Sequence, residues 1–392
     1  MKRYGKIALR IVGASLILML VFPWVTLAAP PAVHTSAEGA ALIDVSSGRL
    51  LVSKNGDKQM RIASLTKIMT AITAIEHGTL SDLVKVSSKA AGKEGSSIYL
   101  KAGEEMSLEN LLYGLMLRSG NDAATAIAEH VGGSLEGFVH LMNEKAGMIG
   151  MARSQFKNPS GLDEEGHYST ANDMARLTAY AMRNPVFRDI VKTKSKTAPN
   201  PNEDWDYKWS NKNKMLSIYD GADGVKTGYT KLAKRCLVSS ATRDGQQLAV
   251  VTLNDPDDWL DHRKLLDYGF RYYEPEQVVK KGDRIENMPI VIGQSFAYPL
   301  LEEERGAVRK DALLLDPNSS SYKLGERGTL TFTLGGTKIG SVPLYAENSP
   351  QLAVKEQSAS SFQESEKYYV SRYLLWQLQL QEVVRRLFIL WE

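Results

Sequence analysis

The sequence predicts an α+β protein: an antiparallel sheet flanked by helices, followed by a small all-β domain. Three observations predict it. Apolar, β-leaning runs occur at 40–54 and again at 225–253, at opposite ends of a helix-rich stretch. Segments with helical apolar spacing fill the interval between them. After about residue 274 the helical period vanishes and short β runs with Gly turns take over. Strands, then helices, then strands imply one sheet whose first and last strands meet, with helices packed on it.

The first residues stand apart. Lys2, Arg3, Lys6 and Arg10 precede an apolar run from Ile11 to Val25, and small Ala28 and Ala29 precede Pro30-Pro31. This is the layout of a secretory signal peptide spanning 1–29, with an uncleaved anchor as the alternative. The run is short for a full bilayer crossing. Either way the remainder is exported. Of 48 basic and 45 acidic residues, four basic ones lie in this leader, leaving 44 against 45 and a net of −1. No basic surplus then argues for a nucleic-acid partner. Cys236 is the single cysteine, so an intramolecular disulfide and a thiolate metal cluster are both excluded.

In 40–54, Ser46-Ser47-Gly48 separates two β runs, as in a hairpin. A helix starts near Ser64 and carries Ile68, Met69, Ala71 and Ile72. Residues 107–118 form a second helix with Ser107 as N-cap. Ser119-Gly120-Asn121 breaks the pattern, and helices follow over 122–131, 134–148 and 171–183. Residues 197–215 are polar and loop-like. Strands follow at Val225–Thr230, Leu237–Thr242 and Leu248–Leu253, the last two joined by the hairpin turn Asp244-Gly245. A helix near 259–268 ends a catalytic domain spanning 30–274. The β domain covers 275–348 and a polar linker 349–366. The final stretch, 367–392, has apolar spacing suited to an amphipathic helix docked on a membrane surface.

Three short motifs carry chemistry. Ser64-Leu65-Thr66-Lys67 is a Ser-x-x-Lys, which on a helix brings hydroxyl and amine to one face. A serine hydroxyl needs a neighbouring base, and lysine supplies one if burial or a second cation lowers its pKa. A helix N-terminus adds positive potential where an oxyanion forms. Ser119-Gly120-Asn121 offers a hydroxyl and an amide from a tight turn, although Gly and Asn also serve as helix caps. Lys226-Thr227-Gly228 opens a strand, where Lys and Thr can hold a carboxylate and Gly admits a ligand backbone. Each is weak alone. All three, in this order and these contexts, form the set shared by β-lactamases and penicillin-binding proteins. Ser169 or Thr170 reads as the cap of the next helix, and His167 has no catalytic motif beside it. The absence of Gly-x-Ser-x-Gly, His-x-x-Glu-His and His-Glu-x-x-His leaves a Ser-His-Asp triad and a zinc site without support, so neither metal nor cofactor is expected.

From about Ala40 to Ala346 the chain resembles the low-molecular-mass penicillin-binding proteins, the serine D-alanyl-D-alanine carboxypeptidases of the S11 type. The resemblance rests on Ala63-Ser64-Leu65-Thr66-Lys67-Ile68-Met69-Thr70, Ser119-Gly120-Asn121-Asp122-Ala123, Asn158-Pro159-Ser160-Gly161-Leu162, Gly224-Val225-Lys226-Thr227-Gly228-Tyr229-Thr230 and Tyr268-Gly269-Phe270. It implies the penicillin-recognising DD-peptidase/β-lactamase-like fold and removal of the terminal D-alanine from peptidoglycan pentapeptide stems. By that resemblance Ser64 is the nucleophile, Lys67 its base and Ser119 a proton relay. Asn121 orients the substrate amide, and Lys226 and Thr227 bind the terminal carboxylate beside Gly228. The N–H groups of Ser64 and Tyr229 form the oxyanion hole. β-Lactam antibiotics are the implied covalent inhibitors. One departure stands out: Lys234 occupies a place between Ala233 and Arg235 where a Gly is expected.

Two other functions fit the same motifs. A β-lactamase needs a deacylating carboxylate, and no Glu-x-x-Leu-Asn lies between Asn121 and Lys226. A non-catalytic penicillin- or wall-binding protein has no need of Lys67.

Overall fold

A computed structural model describes residues 30–285 and 288–353. The expected hairpin is β1 (Gly39–Asp44) and β2 (Leu50–Lys54), paired antiparallel from Ala40↔Lys54 to Ile43↔Leu50. Its turn is held by buried Asp44, whose Oδ1 accepts from the Ser46 and Ser47 hydroxyls and from the Ser47 N–H. That is the local bonding which makes Asp a turn residue.

The helical interval begins with α1 (Thr66–His77), buried through Ala74. It continues with α2 (Leu108–Tyr113), α3 (Asn121–Gly132), α4 (Leu135–Ile149), α5 (Ala171–Arg183) and α6 (Pro185–Lys192). Caps are the expected hydroxyls: Ser107 accepts from the Asn110 N–H, and Thr170 from the Asp173 N–H. The late strands are β3 (Ala222–Thr230), β4 (Lys234–Arg243) and β5 (Gln246–Leu253), followed by α7 (Asp258–Tyr272). The sheet runs β2-β1-β5-β4-β3, so the first and last strands of the domain lie side by side, from Gly39↔Leu253 to Asp44↔Leu248.

Both faces of this sheet are covered. Ala41, Ile43, Val238, Ala249 and Val251 join the core formed with α1, α3 and α5. Ala40, Leu42, Leu237, Leu248 and Val250 pack with Leu265 and Leu266 of α7 on the other side. Alternate residues point to opposite faces, so two-sided burial requires continuous apolar strands. Each such Leu or Val stabilises the fold by about 1.5–3 kcal/mol.

Two stretches differ from expectation. The helix over 107–118 is not uniform: α2 stops at Tyr113, residues Gly114–Arg118 form a π-helical turn, and Ser119 ends it in the left-handed region at φ 67°. The segment 197–215 is not all loop. Ser195–Ala198 and Tyr207–Ser210 pair as a ribbon, with Trp209 buried and stacked near Tyr207.

Beyond α7 come β6 (Pro275–Val279), β7 (Ile290–Ile292), β8 (Phe296–Pro299), β9 (Arg309–Leu314), β10 (Glu326–Leu334) and β11 (Thr337–Ala346). They form a four-stranded sheet, β7-β11-β10-β9, and the pair β6-β8. This unit has its own core of Val279, Ile290, Ile292, Leu330, Phe332, Val342 and Leu344. Arg49, beside the β1–β2 turn, joins it to the larger sheet. Its guanidinium donates to both Glu304 carboxylate oxygens and to the Pro299 carbonyl, between the rings of Tyr273 and Tyr298. Among the described residues no helix is long and apolar enough to cross a membrane. The expected leader over 1–29 and the expected amphipathic helix over 367–392 lie outside the described residues.

Candidate active site

Ser64 lies in a tight 3₁₀ turn, Ala63–Leu65, directly ahead of α1. Backbone N–H groups in a first helical turn have no acceptor four residues back, so positive potential gathers there. Ala63 holds φ +47°, a conformation that costs an L-residue energy and persists only where its surroundings enforce it. Here the surroundings do so. The Thr66 hydroxyl donates to the Ala63 carbonyl at 2.9 Å, and a Cβ at Gly161 (φ +81°) would collide with that same oxygen. Gly161 is therefore required by close approach as well as by its dihedral.

Lys67 follows one helical turn after Ser64 and is completely buried. Its Nζ reaches three oxygens: Ser64 Oγ at 3.1 Å, Asn121 Oδ1 at 2.7 Å and the Ser160 carbonyl at 2.6 Å. Asn121, at the start of α3, is nearly buried; its Nδ2 donates to the Glu94 carbonyl at 2.7 Å, and its backbone N–H to the Ser96 carbonyl at 2.7 Å. The amide is thus oriented by its neighbours, with Oδ1 fixed toward Lys67. Asp122 anchors the adjoining loop, accepting from the N–H groups of Ile98 and Leu100 and from the Ser97 hydroxyl. Ser119 is buried at the left-handed junction before α3, and its hydroxyl has no hydrogen-bond partner among the described residues.

β3 closes the other side. A Cβ at Gly228 would stand 3.2 Å from the Ser64 nitrogen, so glycine lets the strand run close to the nucleophile turn. Lys226 is buried and donates to the Thr227 carbonyl at 2.7 Å. Thr227 is half-buried and Tyr229 is exposed. Ser64, Lys67 and Asn121 are therefore in direct contact, with Gly228 against them.

Burial dominates the electrostatics. It pushes Lys67 well below the ordinary lysine range, and the charges of Lys226 and Lys212 push it further. Burial lowers Lys226 to about 7, aided by the charge of Lys212. Burial and the charges of Lys226 and Lys212 all disfavour the protonated form of Lys67. Lys212, on the turn before Met215, was not singled out from the sequence. Neither were the Ser160 and Glu94 carbonyls, Asp122 or Gly161 as parts of the site. Two of these act through the backbone, which leaves no mark on residue identity. His167 is buried and held near pKa 4 by desolvation, so it is neutral at ordinary pH. Among the described residues no His, Cys, Asp and Glu cluster could hold a metal.

Residues 25–257 match the peptidase S11 family, described as D-alanyl-D-alanine carboxypeptidase. The D-alanyl-D-alanine carboxypeptidase DacF of Bacillus subtilis is 34% identical over 339 residues, spanning 81% of this chain and 86% of the relative. The chain belongs to the S11 family. It is a hydrolase of the D-alanyl-D-alanine carboxypeptidase class. Its second example among relatives, DacC of Escherichia coli, is 32% identical over 374 residues, covering 88% of this chain and 92% of DacC. In structure the carboxypeptidase is similar to the crystallised DacD of Francisella tularensis, with a TM-score of 0.66, 28% identity and coverage of 84% and 97%. A single-site variant of the Streptomyces K15 DD-transpeptidase gives a TM-score of 0.59 at 32% identity, covering 61% of this chain and all of that one. The fold is the penicillin-recognising fold of the DD-peptidases.

Proposed function

We propose that the carboxypeptidase removes the terminal D-alanine of a peptidoglycan pentapeptide through an acyl-enzyme on Ser64. The observation that carries this is Lys67, fully buried and 3.1 Å from Ser64 Oγ. Neutral Lys67 takes the hydroxyl proton as Ser64 Oγ attacks the carbonyl carbon of the penultimate D-alanine. The resulting oxyanion is stabilised by the N–H groups of Ser64 and Tyr229; losing one such donor costs about a hundred- to a thousandfold. Ser119 gives its hydroxyl proton to the departing amine and takes one back from protonated Lys67, so D-alanine leaves neutral at nitrogen, Lys67 is neutral again and the peptide remains as an ester on Ser64. Water then attacks the ester as Lys67 takes a proton from it, and that proton passes to Ser64 Oγ as the ester bond breaks, releasing the tetrapeptide acid, which ionises to its carboxylate, and restoring the Ser64 hydroxyl and neutral Lys67. Asn121 holds Lys67 and orients the substrate amide. Lys226 and Thr227, beside Gly228, bind the terminal carboxylate, and a cation there favours release of a single terminal residue over internal cleavage. A β-lactam, whose ring carbonyl occupies the same place, acylates Ser64.

The enzyme is exported by its leader and held at the outer face of the cytoplasmic membrane by the segment 367–392.

Replacing Ser64 by Ala tests the core of this proposal. D-Alanine release from a pentapeptide and covalent labelling by penicillin should both vanish while the thermal melt is retained. Undiminished labelling of the Ser64→Ala protein moves the nucleophile elsewhere.

A further inference from the structure

The loop between Phe156 and Tyr168 supplies the Ser160 carbonyl to Lys67 and, through Gly161, packs on Ala63. Its neck is closed by one side chain. The Lys157 N–H donates to His167 Nδ1 at 3.2 Å, joining the start of the loop to its end. Around it, Gln155 and Tyr168 exchange backbone bonds, and the Phe156 ring meets the imidazole edge-on at 5.8 Å. A donor at Nδ1 fixes the tautomer: Nδ1 bears the lone pair and Nε2 bears the hydrogen. That Nε2 lies 2.8 Å from Thr66 Oγ1. Because the Thr66 hydroxyl donates its own hydrogen to the Ala63 carbonyl, it accepts from His167. One chain of donors thus runs Lys157 N–H to His167, His167 to Thr66, and Thr66 to the carbonyl of the strained residue before Ser64.

We infer that His167 is a positioning residue for acylation, a pin that fixes the turn bearing Ser64 to the loop that orients Lys67. The inference rests on the proposed Ser64 acyl-enzyme. It assigns His167 no contact with substrate and no proton transfer. Ser64 and Lys67 share a helix start, yet their final approach is set from two sides. Thr66 and Ala63 hold the hydroxyl. Ser160 and Asn121 hold the amine. His167 is the side chain that bonds to both Thr66 and the neck of the Ser160 loop. Losing it leaves Ala63 free to relax and the loop free to shift by a fraction of an ångström, while the helices beneath stay packed.

Two variants separate its two bonds. His167→Gln keeps an N–H donor at the reach of Nε2, toward Thr66. His167→Asn keeps an acceptor near the position of Nδ1, toward Lys157, and loses the donor. Acylation by a fluorescent penicillin, kcat and KM for D-alanine release, and thermal melts are measured for both. His167→Asn should acylate about ten- to a hundredfold more slowly at nearly unchanged KM, the size of effect that a small misplacement of reacting groups produces. His167→Gln should recover to within about threefold, since the donor that reaches Thr66 is restored. Thr66→Val should copy His167→Asn. The inference is overturned if His167→Asn acylates at the wild-type rate, or if His167→Gln is as slow as His167→Asn with losses that follow melting temperature. If wild-type enzyme forms no adduct on Ser64, the proposed reaction fails first, and that result is separate from any ranking of the His167 variants.

Discussion

A neutral lysine has two N–H bonds and one lone pair, and the site around Lys67 offers two carbonyl oxygens and one hydroxyl. The Asn121 and Ser160 oxygens can only accept, so they claim both N–H bonds and leave the lone pair toward Ser64. Deprotonation therefore makes an aimed base without any side chain moving. The pH dependence follows with its sign. Below the depressed pKa of Lys67 the amine is protonated and cannot act, so kcat/KM rises with pH through that value. In the free enzyme Lys226 loses its charge at about 7, and the carboxylate of an acidic substrate then binds less well. A bell-shaped kcat/KM is expected for a peptide ending in a free carboxylate, and its two limbs belong to the coupled lysines together. A peptide ending in an amide should lack the alkaline fall. An undiminished kcat/KM at pH 9 with the acidic peptide removes Lys226 from substrate binding. Lys67→Arg, protonated at any usable pH, should acylate at least about a hundredfold more slowly. At this scale the sequence was legible where side chains make the contacts, as with Ser64, Lys67 and Asn121, which the structure brings together. Ser160 and Glu94 contribute carbonyl oxygens, which any residue could supply. Lys212 became visible only when folding set its charge near the other two.

Elements were legible where their pattern was long. The hairpin β1–β2, the strands β3 to β5 and the helices α5 and α7 all have apolar runs matched to a buried face. The π-helical turn at Gly114–Arg118 was not legible, because its residues keep a helical spacing and only the hydrogen-bond step changes. The ribbon at 195–210 was hidden by short strands of four residues each among polar neighbours. Lys234 shows the converse, a sequence departure that the fold explains. It closes the turn from β3 into β4 with φ +61°, the left-handed region that favours glycine. An L-residue there costs about 1–2 kcal/mol, against about 0.5–1 kcal/mol for the entropy a glycine loses on folding. Lys234→Gly should thus raise stability by about 0.5–1 kcal/mol, read from the urea midpoint at constant m-value. A lowered midpoint means that the lysine side chain stabilises the turn by more than its backbone costs.

At the scale of the whole molecule, the order of strands and helices was enough to predict one sheet with its ends joined, since β1 has to find β5 to bury both of its faces. What the order did not convey is how the two units are held. One such contact is Arg49, a single guanidinium with two carboxylate contacts, one carbonyl and two flanking rings, beside Leu301 packed on the core under α7. Removing it leaves Glu304 partly buried without its partner. Arg49→Ala should split thermal unfolding into two transitions, one for each core, with small-peptide turnover unchanged. A single transition at the wild-type temperature places the coupling elsewhere.

The proposed membrane docking of the segment beyond the β unit rests on its sequence pattern. In 367–392, Tyr369, Tyr373, Trp376, Leu380, Val383, Leu387 and Trp391 fall on one face of a helical wheel. Arg372, Gln379, Glu382, Arg385 and Arg386 fall on the other. Trp and Tyr suit the headgroup level, and a charged opposite face suits a helix lying in the interface. The charges interrupt the apolar run well short of about 18 residues, too few for a span. The stretch Lys355–Glu366 is polar and low in apolar content, the composition of a linker, as the proposed docking requires. Truncation after residue 354 should therefore release the enzyme from the membrane fraction and leave its rate on a small pentapeptide unchanged, because every group around Ser64 lies far upstream in the chain. Rates on wall-attached peptides in cells should fall, since an anchor as proposed would raise the local concentration of enzyme at its polymer. If the truncated protein still sediments with membranes, the tail is not the anchor, and an uncleaved Ile11–Val25 segment takes its place.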